Sequence, residues 1–471
     1  MTIAGELARY AAGLKFEDLP AEVVHQAKRS VLDTFGCAIA AFPSDASQIL
    51  QSLAQDLGGK RESTIIGSGI KTTCLNALLA NGAMVRYFDL NDTYAVAVRT
   101  FLTGCHPSEV IPTAVALAER QHLTGRDVIT AIVVGYQLMV RFTDAVTSAN
   151  TAEPTLGAKG WMSDSIGAFV MPLVAGKLLG LSETQMENAM GISGSLNMIM
   201  GILDSPGEEF TMTKNLRLPH TAYGGTKAAL MAQKGFTGPV RVIEGKKGFI
   251  EAVTRGDFNL TRLTEPRAHF SIMDMYYKPI AADANTHGHV SATLQLVKEH
   301  DIKPEDVAEV SVWASSRCVE HTGDPVKRYP KNQETANHSS YYLTAVAITD
   351  RAVGPEQYTP QKLEDPRIRE LIGKVTFTAD PSLDSFRRAG ISEIRTRQGA
   401  TFRARVEYPK GDPSNPMSDE ELQGKFRSLV ASYMNERQIR RAIKAVYDLD
   451  KTDNIDEVMK TVVFASISPG G

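Results

Sequence analysis

YFDLNDTYAVAVRTFLTGCHPSEVIPTAVALAE (residues 87–119) joins an acidic segment, an apolar run and the start of a helix. Asp89, Asp92 and Thr93 come first, and an HPSE motif beginning at His106 follows the apolar run. Proline, serine and glutamate ahead of an Ala/Val/Leu run predict a loop that leads into a helix N-terminus. Such an end can receive an anion, and the imidazole and carboxylates beside it could transfer protons on an acidic substrate. The alternative is a capped helix with a surface histidine.

The overall composition is that of a soluble globular protein. Of the 471 residues, 43% are hydrophobic and 22% are charged, and this length predicts two or three domains. The formal charge of −3 argues against nucleic acid as a partner, because nucleic-acid binding requires a basic face. We see no uninterrupted apolar run long enough to predict a membrane span and no signal-peptide pattern at the N-terminus. The sequence therefore predicts a cytoplasmic protein.

The four cysteines do not form a recognisable framework. They are scattered, without a CxxC pair, which argues against disulfides, a zinc knuckle or an iron–sulfur cluster, and they are Cys37, Cys74, Cys105 and Cys318. Cys105 adjoins His106, so a reactive thiol is conceivable there, although sequence neighbours often point apart. The other three are expected to be inert packing residues.

The first 260 residues show helical patterns and no clear series of strands. Apolar residues recur every three to four positions over 21–41, after Pro20, which predicts an amphipathic helix. A nearly apolar segment at 161–180 predicts a buried helix. Further helices are predicted at 45–57 after Ser44, 71–86, 124–145 capped by Thr124, and 182–196 with a Ser182/Gln185 capping box.

The pattern changes after residue 268. Alternating runs predict strands at 309–316 and 374–380 and a hairpin at 392–409 around Gly399, with helices at 284–300 and 365–373 between them. A capping box at Ser418 and Glu421 then marks a return to helix. The sequence thus predicts a mainly α protein. Residues 1–267 and 410–471 form a large helical domain, and residues 268–409 form a smaller α+β domain.

A second cluster of charged side chains lies within 210–239. Lys214, Arg217 and His220 come just before a helix predicted to begin near Tyr223, and together they could clamp a carboxylate. The alternative is a solvated loop. No Walker or Rossmann glycine pattern occurs in the chain.

A third cluster follows at 276–290. Lys278 precedes a proline, which predicts an extended or turn conformation, and His287 and His289 follow at the start of a helix. A His-x-His pair can bind metal, but no third ligand of suitable spacing is evident, so no metal site is predicted. At a later helix start, His338 and Ser339 are interpreted as capping residues.

Taken together, five passages resemble the MmgE/PrpD family, which includes 2-methylcitrate dehydratases and cis-aconitate decarboxylases. They occur in the family order over essentially the whole chain, as VLDTFGC (31–37), FDLNDTY with HPSEVIPTAVALAE (88–119), TKNLRLPH with GFTGP (213–239), YYKPIAADANTHGHV (276–290) and NHSSYYLTAVAITD (337–350). The resemblance implies a large helical domain interrupted by a smaller α+β domain, a cleft between them, a homodimer and no cofactor.

The resemblance also implies roles for individual residues. Asp89 and Thr93 match the acid and hydroxyl of the family's D-x-x-D-T segment, and His106 matches the histidine of its H-P-S motif. Lys214 matches the lysine of its T-K motif, and Lys278 the lysine before the first helix of the small domain.

Three positions depart from the decarboxylase-like members. Met162, after Trp161, stands where those members have a second histidine, and Arg217 stands where they have a histidine three residues past the T-K lysine. The tyrosine that they place in the small domain is missing near Cys318. Methionine cannot exchange a proton, so cis-aconitate decarboxylation is less favoured.

The sequence therefore predicts a cofactor-independent lyase that removes a proton next to a carboxylate of a small di- or tricarboxylate, most like a 2-methylcitrate dehydratase. His106 would be the principal proton-transfer group, assisted by Asp89, Asp92 and Thr93. The side chains expected to hold substrate carboxylates or line their site are Lys214, Arg217, Lys278, His220 and His287. A dehydratase also needs an acid for the leaving hydroxyl, and Asp92, His220 and His287 are the candidates.

The sequence leaves three alternatives open. An epimerase or racemase of the iminodisuccinate epimerase type would return the proton without losing a group. A cis-aconitate decarboxylase-like lyase would release carbon dioxide. A member that has lost catalysis would serve as a binding or assembly protein.

Overall fold

A computed structural model describes residues 2–98, 101–147, 155–384 and 388–464. It confirms a mainly α protein with a smaller α+β part. Within these residues the helices are α1 (Ile3–Gly13), α2 (Ala21–Ala40), α3 (Asp45–Leu57), α4 (Cys74–Tyr87), α5 (Val110–Gln121), α6 (Gly125–Ala145), α7 (Gly167–Leu178), α8 (Glu183–Leu196), α9 (Arg217–Gln233), α10 (Phe249–Ala252), α11 (Leu260–Thr264), α12 (His287–Glu299), α13 (Ser316–Thr322), α14 (Gln333–Ala336), α15 (Ser340–Asp350), α16 (Pro360–Leu363), α17 (Pro366–Lys374), α18 (Asp419–Val430), α19 (Glu436–Tyr447) and α20 (Asp456–Met459).

The strands form three small sheets. They are β1 (Ser63–Thr64), β2 (Lys71–Thr72), β3 (Tyr94–Val98), β4 (Phe101–Cys105), β5 (Val307–Ala314), β6 (Val375–Ala379), β7 (Gly390–Thr396) and β8 (Thr401–Val406). β1 pairs with β2 and β3 with β4, both antiparallel, and the third sheet has the order β6-β5-β7-β8. Only β5 and β6 are parallel in that sheet. The β7–β8 hairpin turns at Gly399, whose φ of 89° favours glycine, as the sequence predicted.

Side-chain caps begin the helices where the sequence placed them. Thr124 and Asp127 form a capping box at α6, Ser182 and Gln185 form one at α8, and Ser418 and Glu421 form one at α18. Each box satisfies backbone N–H groups that have no partner inside the helix. The sequence marks these helix starts closely because the signal is local.

Helix α6 crosses the centre of the helical part. It is the one helix among the described residues that has the length and composition of a membrane span, yet 94% of its most apolar window is buried inside the protein. Its length and hydropathy are therefore accounted for by its place in the core, between α5 and α7.

Two large hydrophobic cores account for most of the buried apolar residues. The first is built from residues between 3 and 277 and from 417–464, so the C-terminal helices pack back on the N-terminal ones. The second is built mainly from residues 280–404, where α12, α15 and α17 cover the sheet, with Cys37 and Leu90 contributing from the helical part. The boundaries at 267/268 and 409/410 remain predictions from the sequence.

The segment before α12 connects the two cores. Thr93 and Tyr276 form an antiparallel bridge, in which each backbone N–H donates to the carbonyl of the other, at 3.0 and 2.9 Å. Next to it, the Tyr277 N–H donates to the carbonyl of Gly411 at 3.2 Å. This backbone contact fixes the position of Lys278 relative to the segment that carries Asp89 and His106.

The helical part differs from the sequence expectation in the β1–β2 pair, whose second strand, Lys71–Thr72, lies within the helix predicted at 71–86, and in two further features. Strands β3 and β4 pair antiparallel, with Tyr94 opposite Cys105, where no strands were predicted. The run has no glycine, asparagine or proline between 94 and 103, so the usual hairpin signal is missing. Helix α9 begins at Arg217 rather than near Tyr223, because Pro219 is tolerated in the first turn of a helix.

Candidate active site

A cavity of about 430 Å³ lies between the two cores. Its wall combines a histidine, a hydroxyl and an arginine from the helical part with a lysine, a carboxylate and two histidines from the α+β part. The lining residues that matter chemically include Thr93, His106, Met162, Asp164, Asp204, Arg217, Lys278, Asp283, His321 and His338. Four of the sequence-predicted site residues, Thr93, His106, Arg217 and Lys278, thus share one cavity.

Asp89 is the centre of a buried charge cluster at one end of the cavity. Its Oδ1 lies 2.7 Å from Arg86 Nη1 and accepts from the Lys278 ammonium, and its Oδ2 lies 3.5 Å from Lys214 Nζ and 3.1 Å from His338 Nε2. Burial alone would raise its pKa, but the neighbouring cations, led by Arg86, hold it well below the usual value. Asp89 is therefore a carboxylate that orders a set of cations.

The two predicted lysines differ in their access to the cavity. Lys278 donates to the Asp89 carboxylate and to the Asp89 carbonyl, at 2.8 Å from the latter. An ammonium has three N–H groups, so one remains for the cavity that Lys278 lines. Lys214 is fully buried behind Asp89, and burial lowers its pKa to about 7. It belongs to the charge cluster but does not line the cavity.

His106 is held in one tautomer by the backbone. Its Nδ1 lies 3.0 Å from the carbonyl of Asp92, and a carbonyl can only accept, so Nδ1 carries the proton. Burial, with a further contribution from Arg86 and Lys278, lowers the pKa of His106 well below 6.5. The ring is therefore neutral at pH 7, and its Nε2 can accept a proton.

Asp92 does not line the cavity; its carboxylate holds Ser108 and Tyr136 in position instead. Its Oδ1 accepts the Ser108 N–H at 3.0 Å, its Oδ2 accepts the Tyr136 hydroxyl at 2.7 Å, and its side chain is completely buried. The sequence suggested that the helix N-terminus after His106 could receive a substrate anion. In the structure the Asp92 carboxylate accepts a backbone N–H there instead.

Thr93 donates its hydroxyl to the carbonyl of Cys105 at 3.0 Å, which ties the ends of the hairpin beside His106.

Arg217 lies between two carboxylates on the wall of the cavity. Its Nε is 3.5 Å from Asp164 Oδ2 and its Nη1 is 3.5 Å from Asp204 Oδ2. These two contacts fix the plane of the guanidinium and leave other N–H groups of its five for a ligand. Arg217 is placed here because α9 begins at this residue.

Like Asp89, Asp92 and Lys214, the predicted site residues His220 and His287 do not line the cavity. His220 is exposed and is not among the lining residues. His287 is completely buried: its Nε2 donates to the carbonyl of Ala282 at 3.1 Å, and its Nδ1 accepts from the Tyr276 hydroxyl at 2.5 Å. Both nitrogens are therefore used in holding the segment around Lys278.

Cys105 is also buried, and burial raises its pKa, so its thiol is not activated.

The sequence motifs did not indicate several residues of the site. Arg86, at the end of α4, contacts Asp89, and its Nε lies 3.5 Å from Glu109 Oε1. His338, interpreted as part of a helix cap, contacts Asp89 instead, whereas Ser339 is the cap that the sequence indicated. His338 has no local signal because its partner Asp89 is distant in the sequence, whereas Arg86 lies only three residues before Asp89 but within an ordinary helical pattern.

Comparison with known proteins identifies the family of the chain. The model of the MmgE/PrpD N-terminal domain matches residues 5–261, and that of the C-terminal domain matches residues 281–450. Similar proteins include the cis-aconitate decarboxylase of Aspergillus terreus, 24% identical over 97% of this chain and 95% of the relative, and that of Homo sapiens, 25% identical over 96% and 93%. The 2-methylcitrate dehydratase of Escherichia coli K12 is 21% identical over 89% of this chain and 88% of the relative. The chain belongs to the MmgE/PrpD family.

Proposed function

We propose that this chain is a lyase that removes a proton from the carbon next to a carboxylate of a small di- or tricarboxylate. The observation that carries the proposal is the state of His106, a neutral imidazole whose Nδ1 is held by the Asp92 carbonyl and which lines a cavity with Lys278 and Arg217. A base of this kind beside cations suits abstraction of a carbon-bound proton, because the charge that develops on the carboxylate is stabilised.

The N–H groups that remain available on Arg217 and Lys278 suggest the roles of the cationic residues. Arg217 and the remaining N–H of Lys278, which both line the cavity, would bind substrate carboxylates. Asp89 would keep Lys278 in place and offset its charge. Lys214 and Arg86, behind Asp89, would act through that carboxylate rather than touch the substrate.

Dehydration of a 2-methylcitrate-like acid is our first candidate reaction. His106 Nε2 would take the proton, the carbon–oxygen bond would break, and the hydroxyl would leave as water after receiving a proton. Asp92, His220 and His287 do not line the cavity, so we assign the acid role to Lys278, whose pKa is lowered by burial. A lowered pKa makes the ammonium a better proton donor near neutral pH.

Decarboxylation of cis-aconitate is the second candidate. It is favoured by the relatives named cis-aconitate decarboxylase, which match this chain over more of its length than the dehydratase does. Met162, which lines the cavity, disfavours it because the resemblance implies a histidine at that position. Epimerisation would use the same base but would require return of the proton.

A ligand screen followed by product analysis tests the proposal. Small di- and tricarboxylates should raise the melting temperature, and a ligand at 100 times its Kd adds about 2.7 kcal/mol of stability. Incubation should then release water or carbon dioxide from at least one of them. Stabilisation without turnover would identify a binding protein instead, and no stabilisation by any polycarboxylate would contradict the proposal.

A further inference from the structure

A second cavity, of about 660 Å³, lies in the helical part and shares no lining residue with the candidate active site. Helices α1, α2 and α6 and the segment 264–273 contribute to its wall. Apolar side chains form much of that wall, and they include Leu7, Val23, Pro266, Phe270 and Met273. A wall of this kind suits the apolar body of a ligand.

One buried cation on this wall, Arg141 of α6, has no counter-ion in the described part of the chain. It is 4% exposed, and its Nε has no hydrogen-bond partner. The other buried arginines of the described residues each pair with a carboxylate, and they are Arg29, Arg86, Arg217 and Arg388. A buried charge without a partner is costly, so Arg141 is an exception that calls for an anion.

The Tyr10 ring compensates only part of this charge. The guanidinium carbon of Arg141 lies 5.5 Å from the ring centroid, which is a cation–π distance. Burial raises the pKa of Tyr10 to about 12, so its hydroxyl is neutral at pH 7 and supplies no negative charge. Glu6 also lines the cavity, but it is exposed to solvent. The guanidinium therefore keeps N–H groups for a ligand in the cavity.

Gln137 adds a neutral donor beside Arg141. It lies four residues earlier in α6, on the same face of the helix, and lines the same cavity. Its Oε1 accepts the Ser271 N–H at 2.9 Å, which fixes the orientation of the amide. The amide NH₂ group is thus the part of Gln137 that remains for a ligand, and it can donate to an oxygen bound by Arg141.

We propose that this cavity binds an aliphatic monocarboxylate, of the medium-chain fatty acid class, whose carboxylate pairs with Arg141. The planar guanidinium fork matches the two oxygens of a carboxylate, and the apolar wall removes the aliphatic chain from water. The site is separate from the candidate active site and does not rest on the proposed lyase function.

Calorimetric titration of the full chain with octanoate tests this site. Octanoate should bind at about one molecule per chain, and Arg141→Met should weaken its binding by at least about tenfold, because a charge-assisted pair is lost. Met273→Glu should also weaken binding, because it adds a negative charge to the wall at a residue that is 38% exposed and tolerant of change. Arg126→Met is the matched control, since Arg126 is an exposed arginine of the same helix that does not line the cavity.

Octanol and citrate separate the two parts of the ligand. 1-Octanol has the same body without the charge, so it should bind at least about tenfold more weakly than octanoate. Citrate has charge without an aliphatic body, and a saturating concentration should leave octanoate binding unchanged. Displacement of octanoate by citrate would place octanoate in the candidate active site and overturn the proposal.

The variants decide between this site and its alternatives. Octanoate affinity that falls in Arg141→Met and Met273→Glu but is kept in Arg126→Met supports the site. Equal affinity in all four proteins, or no binding by the unmodified chain, overturns it. Dissociation of a dimer in Arg141→Met without octanoate binding also overturns it, because a second copy of the chain would then supply the counter-ion.

Discussion

Asp89 has a backbone φ of 52° and contacts three cationic side chains and His338. Asparagine tolerates the same left-handed conformation, so Asp89→Asn removes the charge without straining the backbone. Arg86 and Lys278 would then be buried without a counter-charge at this position. We expect a loss of about 3–5 kcal/mol in the free energy of unfolding, measured by denaturant titration.

Asp448→Asn is the control for this change. Asp448 pairs with Lys444 and Lys451 at the surface, where solvent screens the charges, so its removal should alter stability little. Equal effects of the two substitutions would show that Asp89 does not hold the cluster.

Glu109 makes the stability of the charge cluster around Asp89 depend on pH. Burial raises its pKa from 4.5 to about 8, with both carboxylate oxygens buried beside Arg86. Because the folded protein holds the Glu109 proton more tightly than the unfolded chain does, Glu109 contributes its full stabilisation below pH 4.5. That contribution is lost as the pH rises through 8. Glu109→Gln stays neutral, so its melting temperature should rise relative to the unmodified protein between pH 5 and 8.5. A difference in melting temperature between the two proteins that stays constant over this pH range would contradict the raised pKa of Glu109.

Single residues were predicted from the sequence only where a motif carried them. His106, Thr93 and Lys278 lie in motifs, and the structure places them on one cavity. His338 was interpreted as a cap, and Arg86 lies in an ordinary helical pattern. His338 reaches Asp89 from 249 positions along the chain, and one sequence contains no record of such a contact, whereas Arg86 is a near neighbour of Asp89 that no motif marks.

At the scale of elements, the loop that contains Gly411 supports the segment that carries Lys278. Gly411 has a φ of 93°, and a Cβ added there would lie 1.8 Å from the carbonyl oxygen of Tyr277. Gly411→Ala therefore combines backbone strain with a clash against backbone that cannot move freely. We expect about 2–4 kcal/mol of destabilisation and weaker polycarboxylate binding.

Gly399→Ala separates the two contributions. Gly399 has a φ of 89° and nothing within 4 Å of the added Cβ, so this variant has the strain without the clash. Its cost in thermal or denaturant unfolding should be about 1–2 kcal/mol, with ligand binding unchanged. If Gly411→Ala costs no more than Gly399→Ala, the contact with Tyr277 does not position the Lys278 segment.

Elements were predicted well where their signals are local. Capping boxes and alternating runs located most helices and the four-stranded sheet. The β3–β4 hairpin was missed because its run lacks turn residues, and α9 was predicted to begin near Tyr223 although it begins at Arg217. In both cases tertiary packing selected a structure that the local pattern did not indicate.

At the scale of the whole molecule, the cavity depends on two cores that meet at the Thr93–Tyr276 bridge. His106 and Arg217 come from one core's side, and Lys278, Asp283 and His338 from the other. This division explains why the site could not be assembled from any one segment of sequence. The homodimer and the cytoplasmic location implied earlier remain predictions that sedimentation and localisation experiments can test.

Hydrogen exchange in D₂O tests the central claim most directly. The unmodified chain, His106→Gln and His220→Ala would be incubated with the polycarboxylates that stabilise it, and the carbon next to each carboxylate followed by NMR. We expect deuterium incorporation or loss of that proton, slowed about 10²–10⁴-fold in His106→Gln and unchanged in His220→Ala, whose imidazole is exposed. Proton loss at the same rate in His106→Gln as in the unmodified chain would contradict the assignment of His106 as the base.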